Sequence, residues 1–119
     1  MDDKLTLAVK DFSRTPSGRL IEDEPNDKPM SGERWFQSHL KPNYEKASEL
    51  GLKLNVDITG ILAPSTGFWD ESIARLSREF GIDNVFETIV IIADSEFDKD
   101  EIETFIKDPN NEGLQLESR

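Results

Sequence analysis

The segment from Leu52 to Leu76 constrains the fold of this chain most, because it places a strand, a turn and a helix start in direct succession. Apolar residues occupy every second position from Leu52 to Ile58, which is the alternation of a strand with one buried face. Glycine and proline then mark a turn, and the apolar spacing from Thr66 to Phe80 indicates a helix. A strand that leads through a turn into an amphipathic helix predicts an α/β fold.

Three other segments have strand patterns. Leu5–Val9 alternates apolar and polar positions and predicts a first strand. Thr15–Gly18 is a turn, and Arg19–Glu22 predicts a short second strand that returns as a hairpin. Val85–Ala93 contains an unbroken apolar run, which predicts a central strand covered on both faces.

Two further helices are predicted, one on each side of the central segment. The first begins at Ser31, whose hydroxyl is suited to cap the free N–H groups of a first turn. Pro42 lies inside it and predicts a kink or break near His39–Lys41. The last helix begins at Ser95 or Asp98. The predicted fold is a mixed α/β sheet of four to five strands with about three packing helices, in the order β-β-α-β-α-β-α.

The charge and residue types of this 119-residue chain exclude several classes of function. Asp and Glu outnumber Lys and Arg by 25 to 14, a net charge of −11, which argues against direct binding to nucleic-acid phosphates. Without cysteine there is no disulfide, thiolate zinc site or thiol nucleophile. No apolar run has the roughly 20 residues of a membrane span, and we expect a cytoplasmic protein without membrane contact. Residues 1–108 are predicted to form one domain, with 109–119 as a mobile tail.

Residues that could serve catalysis or metal binding form no known catalytic pattern. His39 is the single histidine and has no triad spacing around it. The acidic stretch from Asp94 has Lys99 at its sixth position and Phe105 at its twelfth, where a calcium loop needs glycine and glutamate. No glycine-rich phosphate loop is present. The sequence therefore predicts no enzyme, no cofactor and no metal, and a carboxylate-site enzyme is the weakest alternative.

The turn and helix start carry the candidate partner-binding residues. Trp69 is expected to face outward, because its neighbour Phe68 points inward and successive helical residues diverge by about 100°. An exposed tryptophan beside apolar loop residues is typical of a protein interface. The candidate partner-binding residues are Ile61, Leu62, Pro64, Trp69, Asp70 and Glu71.

Two hydroxyls and a polar cluster complete the candidate site. Ser65 and Thr66 either cap the helix or accept a phosphate that a partner reads. Arg19 is expected to pair with one of the two acids at the helix start and to hold the hairpin onto the loop. The candidate structural polar cluster is Arg19, Asp57, Asp70 and Glu71.

Four pieces of the chain resemble a known family. They are Ser17-Gly18-Arg19, Ser31-Gly32-Glu33, Leu40-Lys41-Pro42, and Val56-Asp57-Ile58 leading to Gly67-Phe68-Trp69-Asp70-Glu71. In this order they resemble the STAS-like domains of unknown function of bacterial proteins, from about Leu5 to Ile106. That family is similar to anti-sigma-factor antagonists, in which a partner kinase phosphorylates a serine at the turn before a helix.

The resemblance implies a STAS-like fold and a regulatory role. Pro64-Ser65-Thr66-Gly67-Phe68 occupies the place of the antagonists' Asp-Ser-Ser-Gly-Leu turn, which puts Thr66 at the acceptor serine. Family members usually have a serine where this chain has Gly67, and this departure favours partner binding over phosphotransfer.

Three functional hypotheses remain open. The first is a non-catalytic regulatory module that binds a protein partner through residues 61–71, and the resemblance implies an ATP-binding partner of the histidine-kinase type. The second is an acidic inhibitor or immunity-type protein that blocks a basic, nucleic-acid-handling enzyme by charge mimicry, because the chain is strongly acidic. The third is the carboxylate-site enzyme.

Overall fold

The computed structural model describes residues 4–24, 29–61 and 66–110. Within these ranges the chain is mixed α/β, which confirms the predicted class. Three strands form one sheet: β1 (Lys4–Ala8), β2 (Lys53–Asp57) and β3 (Ile89–Ile92). Both pairs are parallel, and the order is β1-β2-β3. The prediction of four to five strands is wrong for the part of the chain that the structure describes.

Helical segments connect the strands, as parallel pairing requires. They are α1 (Val9–Phe12), α2 (Gly32–Trp35), α3 (Lys41–Leu50), α4 (Thr66–Trp69), α5 (Arg75–Phe80), α6 (Ile82–Thr88) and α7 (Glu96–Lys107). A π turn (Phe36–Leu40) joins α2 to α3, and another (Asp70–Ala74) joins α4 to α5. Among the described residues, none of these helices has the length and apolar character needed to cross a bilayer.

Pro42 widens its helix instead of breaking it. The ring of a proline crowds the carbonyl group four residues earlier, and proline has no N–H to donate. The π turn Phe36–Leu40 ends two residues before Pro42 and accommodates both effects. Asn43 Nδ2 donates to the carbonyl oxygen of His39 at 2.7 Å and so satisfies a carbonyl in this turn. The predicted break near His39–Lys41 is therefore a local change of helix type.

The predicted second strand at residues 19–22 does not form. Ile21–Asp23 is instead a short 3₁₀ helix. Its backbone groups bond to the start of α2: Glu33 N donates to Arg19 O at 3.1 Å, and Ile21 N donates to Glu33 Oε1 at 2.8 Å. The segment is used to hold a helix terminus and has no sheet partner.

The predicted central strand at Val85–Ala93 is also wrong. Its first half belongs to α6, and β3 lies at the edge of the sheet, with β2 in the centre. Ile89 and Ile91 are buried, whereas Val90 and Ile92 are each 38% exposed. The apolar run is an ordinary alternation in which the outward positions are also apolar.

One face of the sheet carries a row of buried apolar residues. Residues side by side in parallel strands point to the same side, so Leu54 and Ile89 share a face with Val56 and Ile91, and all four are buried. The helices α3, α6 and α7 pack against these strands. The opposite face includes exposed Thr6.

Gly32 marks the closest approach between two helices. A Cβ atom at this position would overlap the carbonyl oxygen of Phe68, so only glycine lets the start of α2 reach α4. The same carbonyl oxygen accepts a hydrogen bond from Ser72 Oγ at 2.7 Å. Trp35 stacks on the ring of Phe68, with 5.6 Å between ring centroids. This contact fixes the helix start that carries the candidate site.

The predicted mobile tail begins within the described residues. Pro109 and Asn110 form a turn, Pro109 is buried, and its carbonyl oxygen accepts a hydrogen bond from Arg78. Residues 111–119 lie outside the described residues.

Candidate functional site

The structure describes only part of the predicted loop. Leu62, Pro64 and Ser65 lie outside the described residues. Ile61 is partly exposed on one side of that gap, and Thr66 is exposed on the other, where it begins α4. Of the two candidate phospho-acceptors, Thr66 is therefore the one whose position the structure gives.

Trp69 is buried, and the prediction that it faces solvent is wrong. Its side chain is 3% exposed. The indole packs edge-to-face against Trp35 and Phe68, with ring centroids 6.4 and 5.0 Å away. Trp35 of α2 contacts the rings of both Phe68 and Trp69, so two successive residues of α4 are enclosed. Trp69 belongs to the core and reaches the surface only at one edge.

Asp70 lies between two arginines. Arg19 donates to one carboxylate oxygen, and Arg78 donates to the other at 3.2 Å. Burial raises the pKa of Asp70, but the hydrogen bonds and charges of both arginines outweigh it, and the pKa is lowered overall. Glu71 lies 3.6 Å from Arg19 and 3.7 Å from Arg75. The structure thus places Arg19, two residues before the 3₁₀ helix, against both predicted acids.

Asp57 lies apart from this arginine cluster. Its carboxylate accepts from Thr59 N at 2.9 Å and from Thr59 Oγ1 at 2.7 Å, which closes a turn just after β2. Burial raises the pKa of Asp57, but the Thr59 hydrogen bonds and the charge of Lys10 outweigh it and lower the pKa overall. Asp57 therefore shapes the chain where it leaves the sheet.

Glu24 is a structural acid that the sequence patterns did not indicate. Its side chain is 1% exposed. The carboxylate accepts from the backbone N–H groups of Met30 and Ser31 at 3.0 Å each, and from Arg34 Nε at 2.8 Å. Burial raises the pKa of Glu24, yet these donors lower it to about 2. Glu24 lies six and seven positions before Met30 and Ser31, so no local motif reveals the contact.

A groove opens where β2 and β3 end. We call it the strand-end groove; its volume is about 140 Å³, and it is lined by Ile58, Ile61, Trp69, Asp94, Asp98, Glu101 and Ile102. Ile58 follows β2, and Asp94 follows β3. The carboxyl ends of parallel strands are the common location of binding sites in α/β proteins. The groove combines an apolar floor with an acidic rim.

Phe97 stands beside this groove and was missed by the sequence analysis. It is 75% exposed, the highest value among the exposed large apolar residues of the described chain. Phe97 and Glu101 are four residues apart on α7 and are therefore neighbours on its surface. The inward positions of α7 are filled by Ile102, Phe105 and Ile106. The spacing of those three residues was a signal that Phe97 falls outside the buried stripe.

A larger and more open depression lies between α3 and α6. It has a volume of about 520 Å³ and includes Tyr44, Phe80 and the acids Glu45, Glu49 and Glu87. The rings of Tyr44 and Phe80 are 4.8 Å apart between centroids. We call it the α3–α6 groove; it does not touch the predicted loop surface.

Comparison of the chain with protein-family models, curated proteins and solved structures gives no match. Within the described ranges, no group of three or more acidic or histidine side chains is arranged to hold a metal ion. The function is therefore argued from the geometry above and from the resemblance in the sequence.

Proposed function

We propose that this chain is a non-catalytic regulatory module that binds a protein partner through residues 61–71 and the adjoining strand-end groove. The observation that carries the proposal is this groove, because Ile61 and the exposed edge of Trp69 line it at the carboxyl ends of two parallel strands. Its small volume suits a protein side chain better than a typical small-molecule ligand, whose sites run from roughly 300 Å³ upward.

The resemblance to STAS-like domains supports the same role. It suggests an ATP-binding partner of the histidine-kinase type, as the related antagonists have. Arg19 pairs with both Asp70 and Glu71. These ion pairs hold the helix start to the segment before the 3₁₀ helix and support a rigid surface beside residues 61–71. A preorganised surface loses less conformational entropy on binding.

Charge mimicry stays the second candidate because of one observation. Asp94, Asp98 and Glu101 form no ion pair with any cation of the described chain. A mimic would use many such carboxylates, and its binding would fall steeply as salt increases. A regulatory module would depend mainly on the apolar part of the groove and less on salt.

Replacement of Ile61 by glutamine is expected to reduce partner capture at least fivefold. The partly exposed Ile61 side chain contributes apolar surface to the groove, and glutamine removes it while keeping similar length. The immobilised variant and wild type are incubated with a lysate of the source organism, and bound proteins are quantified by mass spectrometry at two salt concentrations.

Leu50 provides the matched control, because it is 57% exposed and does not line the groove. Leu50→Gln should change capture by less than twofold. Both variants are first checked for folding by thermal denaturation. Equal capture by the Ile61→Gln and Leu50→Gln proteins would contradict the proposed binding surface. Capture that survives Ile61→Gln but disappears at high salt would favour the mimic.

Phosphorylation at Thr66 is the regulatory part of the proposal. Thr66 is exposed, and the guanidinium of Arg19 lies about 3.6 Å from the position that a Cβ on Gly67 would take, so a cation is close to this helix start. A phosphate at Thr66 would compete with Asp70 for Arg19.

We expect Thr66→Asp to change the dissociation constant of the captured partner at least threefold, and Thr66→Val to change it less than twofold. Aspartate reproduces the negative charge of a phosphorylated threonine, whereas valine only removes the hydroxyl. The two constants are measured by isothermal titration with the purified partner. If both variants bind like wild type, Thr66 only begins the helix.

A further inference from the structure

We infer that the strand-end groove receives an arginine or lysine side chain from a partner protein, and that Phe97 covers an apolar residue next to it. This inference rests on the proposed function for the location of the surface and adds the chemistry of the occupant.

The groove has the shape and lining that a long basic side chain needs. Its volume of about 140 Å³ is the size of one large side chain. The floor, which includes Ile58, Ile61 and Ile102, is apolar and suits the methylene stem of arginine or lysine. The rim is acidic and suits the charged head group.

The carboxylates of the rim are free to bind such a head group. Two acids elsewhere in the chain, Glu24 and Asp70, have arginine partners. Asp94, Asp98 and Glu101 form no ion pair with any described residue. Charge complementarity therefore selects a cationic occupant and disfavours an acidic one.

Stabilisation of the helix start does not by itself explain this arrangement. Acids in the first turn of a helix interact favourably with its dipole, and Asp98 is such a residue in α7. Asp94 precedes the N-cap Ser95, and Glu101 lies beyond the first turn. These two acids have no comparable role in the helix, yet both line the same groove.

Phe97 supplies the apolar part of the interface. An aromatic side chain that is 75% exposed beside a concave surface offers a large apolar area to a partner. The partner segment that fits is one in which a basic residue enters the groove and a neighbouring apolar residue lies on Phe97.

A defined peptide tests this inference without knowledge of the partner. The probe is acetyl-Leu-Arg-Leu-amide, and the control is the same peptide with citrulline, which keeps the shape of arginine without its charge. Binding is followed by ¹H–¹⁵N NMR of the full chain, including the indole N–H of Trp69. We expect the arginine peptide to shift signals around the strand-end groove, with a dissociation constant at least fivefold lower than that of the citrulline peptide.

Two triple variants of equal charge separate the groove from the general acidity of the chain. One carries Asp94→Asn, Asp98→Asn and Glu101→Gln, and the control carries Glu45→Gln, Glu49→Gln and Glu87→Gln at the α3–α6 groove. The first should weaken peptide binding at least fivefold, and the second less than twofold. Phe97→Ala should weaken it at least threefold.

Two results would overturn the basic occupant: equal affinity for the arginine and citrulline peptides, or an equal loss of peptide affinity in the two triple variants. Unchanged peptide affinity in the Phe97→Ala protein would overturn the role of Phe97. The outcomes for the groove and for the proposed function are separable. Partner capture that depends on Ile61 but not on the three rim acids would reject the basic occupant and keep the regulatory module. Peptide binding as expected, with partner capture unaffected by Ile61→Gln, would reject the proposed function and keep the basic-side-chain site.

Discussion

Replacement of Trp69 by alanine is expected to lower the free energy of unfolding by about 3–5 kcal/mol, the range for truncating a buried aromatic side chain. The indole is 3% exposed and contacts the rings of Trp35 and Phe68. Alanine would leave a cavity between α2 and α4 and would remove both edge-to-face contacts. Urea denaturation followed by circular dichroism measures the change, because fluorescence would be altered by the loss of the tryptophan itself.

The exposed aromatic residue of the same region is the control for that experiment. Phe97→Ala removes a side chain that is 75% exposed and should change the unfolding free energy by less than about 0.5 kcal/mol. A loss below about 1 kcal/mol for Trp69→Ala would mean that the indole faces solvent, as the sequence pattern predicted. Since the variant perturbs folding, Ile61 and not Trp69 is the residue with which to test binding.

The second large effect is a loss of stability in acid caused by Glu24. Its folded-state pKa of about 2 lies below its ordinary value of 4.5. A lowered pKa stabilises the folded chain at pH values above 4.5, and this stabilisation is lost as the pH falls from about 4.5 to about 2. The linked free energy is on the order of 3 kcal/mol, since each unit of pKa difference corresponds to about 1.4 kcal/mol. We expect Glu24→Gln to cost about that amount at pH 7 and to flatten the pH dependence of stability in this window.

Urea denaturation at a series of pH values measures the difference between Glu24→Gln and wild type. Asp70 and Asp57 also have lowered pKa values and lose stabilisation in acid, so the difference between the two proteins, not either curve alone, reports Glu24. Glu22 is exposed and is the matched control, and Glu22→Gln should keep the wild-type slope. An unchanged slope for Glu24→Gln would show that the carboxylate is not held by the start of α2.

The sequence predicted those strands and helices that bury one face, because their apolar residues recur at the spacing of that face. The strands β1 and β2 and the helix α7 lie close to their predicted positions, and Ser31 and Ser95 each accept the expected cap hydrogen bond. The position of β3 in the sheet could not be predicted in the same way. Val90 and Ile92 face outward but are apolar, so the pattern of an edge strand is identical to that of a buried one.

The candidate site was less predictable because it depends on contacts between distant segments. Trp69 is enclosed by a second helix, which the periodicity of its own helix cannot reveal. Glu24 binds the backbone just before α2, at Met30 and Ser31, which are six and seven positions away in the sequence. The strand-end groove combines residues that follow two different strands. The contact of Arg19 with one of the two acids Asp70 and Glu71 could be predicted, since opposite charges in two otherwise patterned segments suggested it.

The central position of β2 has a consequence for how the chain assembles. Neither edge strand has a partner until β2 is extended. The stretch of chain between paired residues is shorter for β2 and β3, as in Leu54–Ile89, than for β1 and β2, as in Lys4–Lys53. The difference in loop-closure free energy is only about 0.3 kcal/mol. In a complete chain that refolds from denaturant, the two pairings therefore compete almost equally. During synthesis β1 and β2 leave the ribosome first, so they can pair before β3 has emerged from the exit tunnel.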